Sequence, residues 1–448
     1  MRLKRVQRDF RVTELLRDEA ALLGEGPYTM YRVTKLGLTT FEAADRLAEE
    51  AGVDREAIAY AGLKDKDGIT GQFMTVLRGR PVNVKEEGLA IFRAGPAVRA
   101  IASEDSAGNA FEIFVRDLIG DDMRRIRVNI EQVRRLGLPN YFDDQRFGCL
   151  RHGQGFIVRS LMAGDAESAL RALLAAPSRY GSERIELYKE GIAKRWGDWE
   201  ALAAFARGAR GASAFERLCA DPRDFTGALE RGVASRERTI HLFAYQSHLW
   251  NRALTLRVQQ AVGGGDLHWL PGDAGALPVW RAIAPEALAA LEALDLPLLG
   301  KGVTLSPEAR RLYDAVLAAE GFKVEDFLTL DRSGFRPLGE PRPVVIRPEF
   351  LRAAPAEPDE MFRLKQKMRL RFTLGRGQYA TLVCKRLLMP TENSARPPRL
   401  WISRHELVWP DAAGRAAPER LERRLAPSER PPAPHHDDRR DPRRSPWR

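Results

Sequence analysis

An aspartate between two lysines is the feature of this sequence with the clearest potential for chemistry. Asp65 is flanked by Lys64 and Lys66, after the apolar run 57–60 and before the mainly apolar run 73–77. The runs predict strands, so we expect Asp65 on the loop between them, where a rigid scaffold displays reactive groups. Two neighbouring cations favour the ionised carboxylate that a nucleophile or charge stabiliser requires. Taken alone, a Lys-Asp-Lys triplet is more often a solvated turn.

Four segments, in order along the chain, resemble the signature motifs of the TruD family of pseudouridine synthases. They read Ala-Gly-Leu-Lys-Asp-Lys-Asp-Gly-Ile-Thr-Gly-Gln at 61–72, Asn-Ala-Phe-Glu-Ile at 109–113 with Arg116, Pro-Asn-Tyr-Phe-Asp-Asp-Gln-Arg-Phe-Gly at 139–148, and Gly-Gln-Tyr-Ala-Thr at 377–381. Four ordered motifs are far more specific than any one of them.

The resemblance implies an α+β fold of pseudouridine-synthase type. Its catalytic domain is expected to contain a mixed, mainly antiparallel sheet and to be discontinuous, over residues 1–152 and 341–411. A mostly helical TRUD domain is expected between these pieces, over 153–340. The local patterns agree, because strand-like alternation dominates the first 150 residues and helical spacing dominates the middle of the chain.

Local signals predict several elements and their ends. Thr39 and Glu42 form a capping-box pattern that starts a helix, and Ser306 before a proline starts another. Apolar spacing predicts one continuous helix from Leu161 to Leu174, and residues 343–348 predict a strand.

The resemblance also implies which residues act on the substrate. Asp65 is implied as the catalytic carboxylate, which acts as a nucleophile or stabilises a cationic sugar at C1′. The target base must leave the RNA stack, which requires an aromatic platform and polar groups for the base edge. Phe142 is predicted as the platform and Asn140 as the polar partner, while Phe10 and Tyr379 match family positions that line the same pocket. For each aromatic residue, ordinary core packing is the alternative.

Three further residues are predicted to support the Asp65 loop. Lys64 is expected to give structural or electrostatic support, and Thr70 and Gln72 to fix the loop by hydrogen bonds. We expect no metal and no cofactor, since isomerisation of uridine requires neither and the sequence contains no nucleotide-binding fingerprint.

Composition indicates a polyanionic partner and a reducing compartment. The 448 residues carry a formal charge of +11, which suits tRNA, the partner that the resemblance implies. The three cysteines, Cys149, Cys219 and Cys384, match neither a zinc spacing nor a disulfide framework. Without an apolar run of 18 residues or a recognisable signal peptide, we expect a cytoplasmic protein with no membrane contact, and a monomer.

Residues 412–448 are rich in Arg, Pro and Ala and are predicted to be a disordered basic tail. Ten arginines against six acidic residues after Gly414 give this segment a net charge of about +4. With few large apolar side chains, it buries too little surface to offset the entropy cost of ordering.

Truncation near Ala412 should therefore leave folding and the choice of target uridine unchanged. The arginines should add only non-specific affinity, so the full chain should show a steeper dependence of tRNA binding on salt. Thermal unfolding and binding titrations at several salt concentrations measure both effects. Loss of the folded core or of target choice on truncation would show that the tail is structural.

The sequence departs from the family pattern at three places. Asp67 adds a carboxylate near Asp65, residues 374–378 read Leu-Gly-Arg-Gly-Gln, and Lys385-Arg386 stands where Arg-Glu is common.

The main prediction is isomerisation of uridine 13 in the tRNA D-arm, as the family implies. One alternative is a catalytically inactive RNA-binding protein or RNA chaperone on the same fold. Another is a glycoside hydrolase, which would need a second carboxyl as general acid.

Overall fold

The computed structural model describes residues 1–178, 181–330, 335–390, 400–402 and 405–407. The fold is mixed α+β, as predicted, with a mainly antiparallel sheet and many helices. The predicted tail over 412–448 lies outside the described residues. Within the part of the chain described, no helix is both long enough and apolar enough to cross a membrane.

The strands are β1 (Arg2–Leu3), β2 (Phe10–Leu16), β3 (Leu23–Leu36), β4 (Ile58–Tyr60), β5 (Ile69–Leu77), β6 (Val84–Glu86), β7 (Leu89–Ala97), β8 (Ser106–Leu118), β9 (Leu138–Pro139), β10 (Leu267–Leu270), β11 (Leu277–Trp280), β12 (Val345–Ile346), β13 (Glu349–Ala353), β14 (Glu357–Pro358), β15 (Gln366–Gly375), β16 (Leu400–Ile402) and β17 (His405–Leu407).

The α-helices are α1 (Glu19–Leu22), α2 (Thr40–Ala51), α3 (Gly120–Leu136), α4 (Ile157–Met162), α5 (Ala166–Leu174), α6 (Glu183–Lys194), α7 (Trp199–Phe205), α8 (Ala212–Ala220), α9 (Phe225–Gly232), α10 (Ser235–Ala261), α11 (Pro285–Glu292), α12 (Pro307–Ala318), α13 (Val324–Leu328) and α14 (Ala380–Leu387).

One large sheet joins strands from both ends of the chain. Its order is β17-β16-β1-β8-β2-β5-β3-β7-β6, and β15 pairs with the other edge of β8. The β8–β15 pairing is antiparallel and places Ile113 opposite Leu370. Strand β2 lies antiparallel to β8 and parallel to β5, so Phe10 is opposite Ile113 and Arg11 is opposite Ile69.

Alternation along β2 determines which face of the sheet holds the site. Phe10, Val12 and Glu14 are buried, whereas Arg11 and Thr13 are exposed. Helix α3 contributes an apolar row to the same core, including Ile126, Ile130 and Val133. Burying each such side chain contributes about 1.5–3 kcal/mol to folding. The loop that carries Asp65 attaches to this buried face through Glu14.

The predicted helix starts are confirmed, but two predicted elements are wrong in extent. The Thr39 hydroxyl accepts a hydrogen bond from the Glu42 amide at 3.1 Å, and Ser306 caps α12. The single helix predicted over 161–174 is instead α4 and α5, which are separated at Gly164, where φ is +78°. The strand predicted over 343–348 shrinks to β12, because proline cannot donate to a strand ladder and bounds the segment on both sides.

Candidate functional site

Asp65 lies on the loop between β4 and β5, as predicted, and its carboxylate is held from two distant parts of the chain. The Lys4 ammonium lies 3.4 Å from Oδ2, and Gln145 donates its Nε2–H to Oδ1 at 2.7 Å. The Asp65 side chain keeps one third of its surface exposed. It is therefore oriented by a cation and an amide and still accessible to a substrate.

The two lysines that flank Asp65, expected to favour its ionised form, form ion pairs with other carboxylates among the described residues. Lys64 points into the sheet and forms a 2.6 Å ion pair with the fully buried Glu14. Lys66 lies 3.8 Å from Glu42. Neighbours in sequence point in different directions on a loop, so the nearest cation in space, Lys4, is 61 residues away in the chain.

Buried side chains beneath the loop bind its backbone. Gln72 donates to the Gly62 carbonyl at 3.3 Å, and Thr40 accepts from the Lys64 amide at 2.9 Å and donates to Gln72 at 3.0 Å. Thr70 makes a longer contact, 3.5 Å, with the Asp65 carbonyl. These contacts are of the kind predicted for Thr70 and Gln72, whereas Thr40 was not predicted.

Lys4 connects Asp65 with Phe10. Its ammonium lies 3.8 Å from the centroid of the Phe10 ring, a cation–π contact, besides its contact with Asp65. Lys4 has φ of +51°, the left-handed region that non-glycine residues rarely adopt. Phe10 is only 4% exposed, so this conformation offers its ring to Lys4 rather than to a nucleotide.

An aromatic cluster surrounds Phe142. Its ring meets Trp250 and Tyr379 edge to face, with centroids 5.8 and 5.9 Å apart. Asn251 on α10 makes two hydrogen bonds to the backbone of Phe142. The Asn251 side chain accepts from the Phe142 amide at 2.8 Å and donates to the Phe142 carbonyl at 2.9 Å. Phe142 is 3% exposed, so a base can stack on it only after a neighbour moves.

Two guanidinium groups lie over the Phe142 ring, Arg342 closely and Arg146 at 5.3 Å from the ring centroid. The guanidinium carbon of Arg342 lies 3.8 Å from the centroid of the Phe142 ring. The Arg342 guanidinium donates to both the carbonyl and the side-chain oxygen of Asn140 at 2.8 Å, and to the Gly377 carbonyl at 2.9 Å. Burial lowers the pKa of Arg342 to about 10, so the group is still charged at neutral pH.

Asn140 is fully buried, and its side chain is already occupied in this conformation. Its oxygen accepts from Arg342, and its Nδ2 donates to the Pro343 carbonyl at 2.8 Å. Displacement of Arg342 would therefore free both the Phe142 ring and the acceptor of Asn140.

Two adjacent residues link Asp65 to this aromatic cluster. Gln145 contacts Asp65, and Arg146 donates from Nε to the Tyr379 hydroxyl at 3.2 Å. Both belong to the 3₁₀ segment Asp144–His152. The structure thus brings together residues from the N-terminus, the 61–72 loop, the 139–148 segment and Tyr379.

The sequence analysis missed Lys4, Arg342 and Gln145. Gln145 had a signal, since it lies within the 139–148 motif, but Lys4 and Arg342 lie outside all four motifs. The three cations Lys4, Arg146 and Arg342 outnumber the Asp65 carboxylate and give the site an excess of positive charge, which suits the phosphates of a nucleic acid. Across the described residues, no group of three or more His, Cys, Asp or Glu side chains is arranged to hold a metal.

A buried ion cluster anchors the 3₁₀ segment. The ammonium of Lys385 contacts Asp143 and Asp144 at 2.6 Å each and donates to the Pro271 carbonyl at 2.9 Å. Burial by itself would lower the pKa of Lys385, but the attraction of the two carboxylates outweighs it and raises that pKa. Lys385 therefore joins α14, the start of the 3₁₀ segment and the loop between β10 and β11.

Lys385→Ala should lower the free energy of unfolding by about 3–5 kcal/mol, because it leaves the buried Asp143 carboxylate without a counter-charge. Urea or guanidinium unfolding measures the change. Lys367→Ala is the matched control, since Lys367 pairs with the exposed Glu360 at 2.6 Å and should contribute less than about 1 kcal/mol. Equal losses in the two variants would contradict the anchoring role of Lys385.

Comparison with known proteins agrees with the four motifs. A family model described as tRNA pseudouridine synthase D (TruD) matches residues 1–387. The chain is 31% identical over 385 residues to tRNA pseudouridine synthase D of Geobacter sulfurreducens, covering 83% of this chain and 90% of that protein. It is 26% identical over 398 residues to the protein of the same name from Aquifex aeolicus, covering 86% and 98%.

A solved structure shares the fold. The crystal structure of a tRNA pseudouridine synthase D from Methanosarcina mazei matches with a TM-score of 0.64 and 22% identity, over 86% of this chain and 93% of that chain. The arrangement of helices around a mainly antiparallel sheet is therefore one that has also been found by experiment.

Proposed function

We propose that this chain, which belongs to the TruD family of pseudouridine synthases, isomerises uridine 13 of the tRNA D-arm to pseudouridine. Family membership rests on the match over residues 1–387 and makes the chain an isomerase of the pseudouridine synthase type. The observation that supports Asp65 as its reacting group is the partly exposed carboxylate, which Lys4 and Gln145 hold between them.

In the proposed reaction, the N1–C1′ bond of uridine breaks, the base turns, and C5 bonds to C1′. C5 then loses its proton, and N1, which has lost its bond to the sugar, gains one. The substrate and product have the same atoms, so no electron donor or acceptor is required. Asp65 acts as the nucleophile or stabilises the charge that develops on the sugar. Lys4 and Gln145 keep the carboxylate in one orientation, which lowers the entropy cost of reaching the transition state.

The target base is proposed to enter the space that Arg342 now fills. An extruded base needs a stacking partner, and Phe142 and Tyr379 are adjacent aromatic rings. When Arg342 moves, its interaction with Phe142 is lost, and contacts between the guanidinium and RNA phosphate can compensate. Asn140 would then offer its freed oxygen to the imide N–H of uracil, and Phe10 would complete the pocket from the side of Lys4.

We further propose that residues 1–152 and 341–411 form one catalytic domain around an inserted domain over 153–340. The antiparallel pairing of β8 with β15 supports this plan, because the two strands are separated in sequence by the whole helical block. The hydrogen bond from the Phe142 amide to Asn251 of α10 supports a contact between that block and the proposed site. The D-arm is proposed to bind where the two domains meet.

The geometry favours an isomerase over a glycoside hydrolase. The groups described against the Asp65 carboxylate are Lys4 and Gln145, and neither is the carboxylic acid that a hydrolase would need. Asp67 is exposed at the surface of the loop. An inactive RNA-binding protein would not need a carboxylate held in this way.

Incubation of the purified chain with a tRNA transcript labelled in uridine tests the proposal. We expect one pseudouridine, at position 13, with no release of free uracil, and no product from a transcript with cytidine at that position. Release of free base would indicate a hydrolase. Tight binding without conversion would indicate an RNA-binding protein or chaperone, and conversion elsewhere would refute the proposed site.

A further inference from the structure

Lys35 on strand β3 is a buried lysine whose ammonium is bound entirely by the backbone around the Asp65 loop. Its side chain is 1% exposed. Nζ donates to the carbonyls of Leu38 and Asp65 at 2.8 Å each and to the carbonyl of Lys64 at 3.1 Å. An ammonium has three N–H donors, so these three carbonyls satisfy it completely.

The ammonium of Lys35 has no carboxylate partner within ion-pair distance among the described residues, unlike the buried Lys385, which contacts two. Burying a cation without a counter-ion is costly, so a neutral side chain would be the more stable choice at a purely structural position. The charge of Lys35 therefore indicates a requirement other than stability.

The surroundings of Lys35 contain few charges. The Asp65 carboxylate and Glu42 on α2 attract its ammonium, and Lys64 on the loop repels it. The neighbouring strands present uncharged partners, Thr70 of β5 and Leu89 of β7. Among these groups, only Asp65 lies on the proposed path of the reaction.

We propose that Lys35 is a positioning residue, whose charged ammonium ties the backbone of Lys64 and Asp65 to the start of α2 and so fixes the Asp65 carboxylate for reaction. The inference rests on the proposed function, in which Asp65 is the reacting group. Lys35 reaches Asp65 only through its carbonyl, so it acts through the loop and does not touch the substrate.

The hydrogen bonds from Lys35 to the loop should depend on pH, because the lysine is buried. Burial lowers the pKa of Lys35 to about 8. As the pH rises through this value, the amine loses one N–H donor and its charge, so the loop loses an anchor and turnover should fall. The free energy of unfolding should rise over the same range. Between about pH 8 and the unfolded pKa of about 10.4, Lys35 is protonated in the unfolded chain and neutral in the folded one, so a rise in pH favours the folded state. If the rate falls with pH while stability rises, the fall in rate is due to lost positioning of Asp65 and not to unfolding.

Lys35→Met removes the ammonium but keeps an unbranched side chain. We expect the single-turnover rate with saturating tRNA to fall about 10–100-fold, as for a reacting group displaced by about an ångström. The tRNA dissociation constant should change less than about twofold. The fall in rate above about pH 8 that we expect of the wild type should be absent in the variant.

Thr40→Val is the matched control. It removes a neutral anchor of the same loop, the hydrogen bond from the Lys64 amide, and leaves the charge of Lys35 in place. Its rate should fall, but the alkaline decline near pH 8 should remain. In addition, Lys35→Cys can be aminoethylated while unfolded to give thialysine, in a chain whose Cys149, Cys219 and Cys384 are replaced by alanine so that only position 35 reacts. This protein should recover activity, with the decline at a lower pH, because that amine is more acidic.

Wild-type rate and pH profile in Lys35→Met would overturn the proposal. If that variant does not fold, an unshifted alkaline decline in the thialysine protein would overturn it equally. Amide hydrogen exchange over residues 61–68 supplies a readout independent of catalysis, and we expect faster exchange when Lys35 is replaced. Failure of the wild type to make pseudouridine would instead refute the proposed function, while unchanged exchange in the variant would refute the anchoring by Lys35.

Discussion

Asp65→Asn should fold normally and make no detectable pseudouridine. The amide is close in shape to the carboxylate and can still accept from Gln145, but it cannot attack C1′ or stabilise positive charge on the sugar. Because Asp65 is one third exposed, its replacement should change the free energy of unfolding by less than about 1 kcal/mol. The rate of pseudouridine formation should fall by roughly 10³-fold or more.

Asp67→Asn is the matched control for this experiment. Asp67 is a carboxylate two residues further along the same loop, and its side chain is exposed. Its replacement should leave the rate within about twofold of the wild type. Wild-type turnover by Asp65→Asn, or an equal loss in the Asp67 variant, would refute the proposed role of Asp65.

Phe142→Ala should lose both stability and turnover, whereas tRNA binding should largely survive. Truncating a buried phenylalanine typically costs about 3–5 kcal/mol, and Phe142 packs against Trp250, Tyr379 and Arg342. Stacking on one flipped base contributes about 1–3 kcal/mol, while phosphate contacts supply most of the affinity for tRNA. Denaturant unfolding, tRNA titration and single-turnover rates measure the three quantities.

Two variants separate the packing of Phe142 from its proposed stacking. Phe142→Leu fills much of the space but offers no aromatic face, so turnover should fall while most of the stability returns. Phe147→Leu changes another phenylalanine that is 3% exposed, on the same segment, and should leave turnover near that of the wild type. Weak tRNA binding together with intact single-turnover chemistry in Phe142→Leu would show that the ring is not a base platform.

Arg342 covers the aromatic ring that the sequence predicts as a base platform. The 139–148 motif indicates that an aromatic ring and an amide occur two residues apart, but not what lies over them. In the folded chain, a guanidinium about 200 residues away covers the Phe142 ring and occupies Asn140. Such a contact requires only that the cation lie close in space to the ring and the amide oxygen. Periodicity and spacing in the sequence do not show which distant residues come close in space.

The sequence by itself determined the features that depend on neighbours along the chain. Two short apolar runs placed Asp65 between two strands, side-chain caps fixed the starts of α2 and α12, and four motifs identified the family. These signals are readable because strand alternation, helix capping and turn chemistry each act over a few residues. Even there, Gly164 ended one helix and began another where apolar spacing alone predicted continuity.

Only the tertiary structure decided which groups touch Asp65. Lys64 and Lys66 are adjacent to it in sequence yet pair with Glu14 and Glu42, while Lys4 and Gln145 hold its carboxylate from 61 and 80 residues away. The buried tie from Lys35 is likewise invisible in the sequence, since it runs from a side chain to backbone carbonyls that any residue would present. Such contacts depend on how strands and loops pack, and packing is a property of the whole chain rather than of any local pattern.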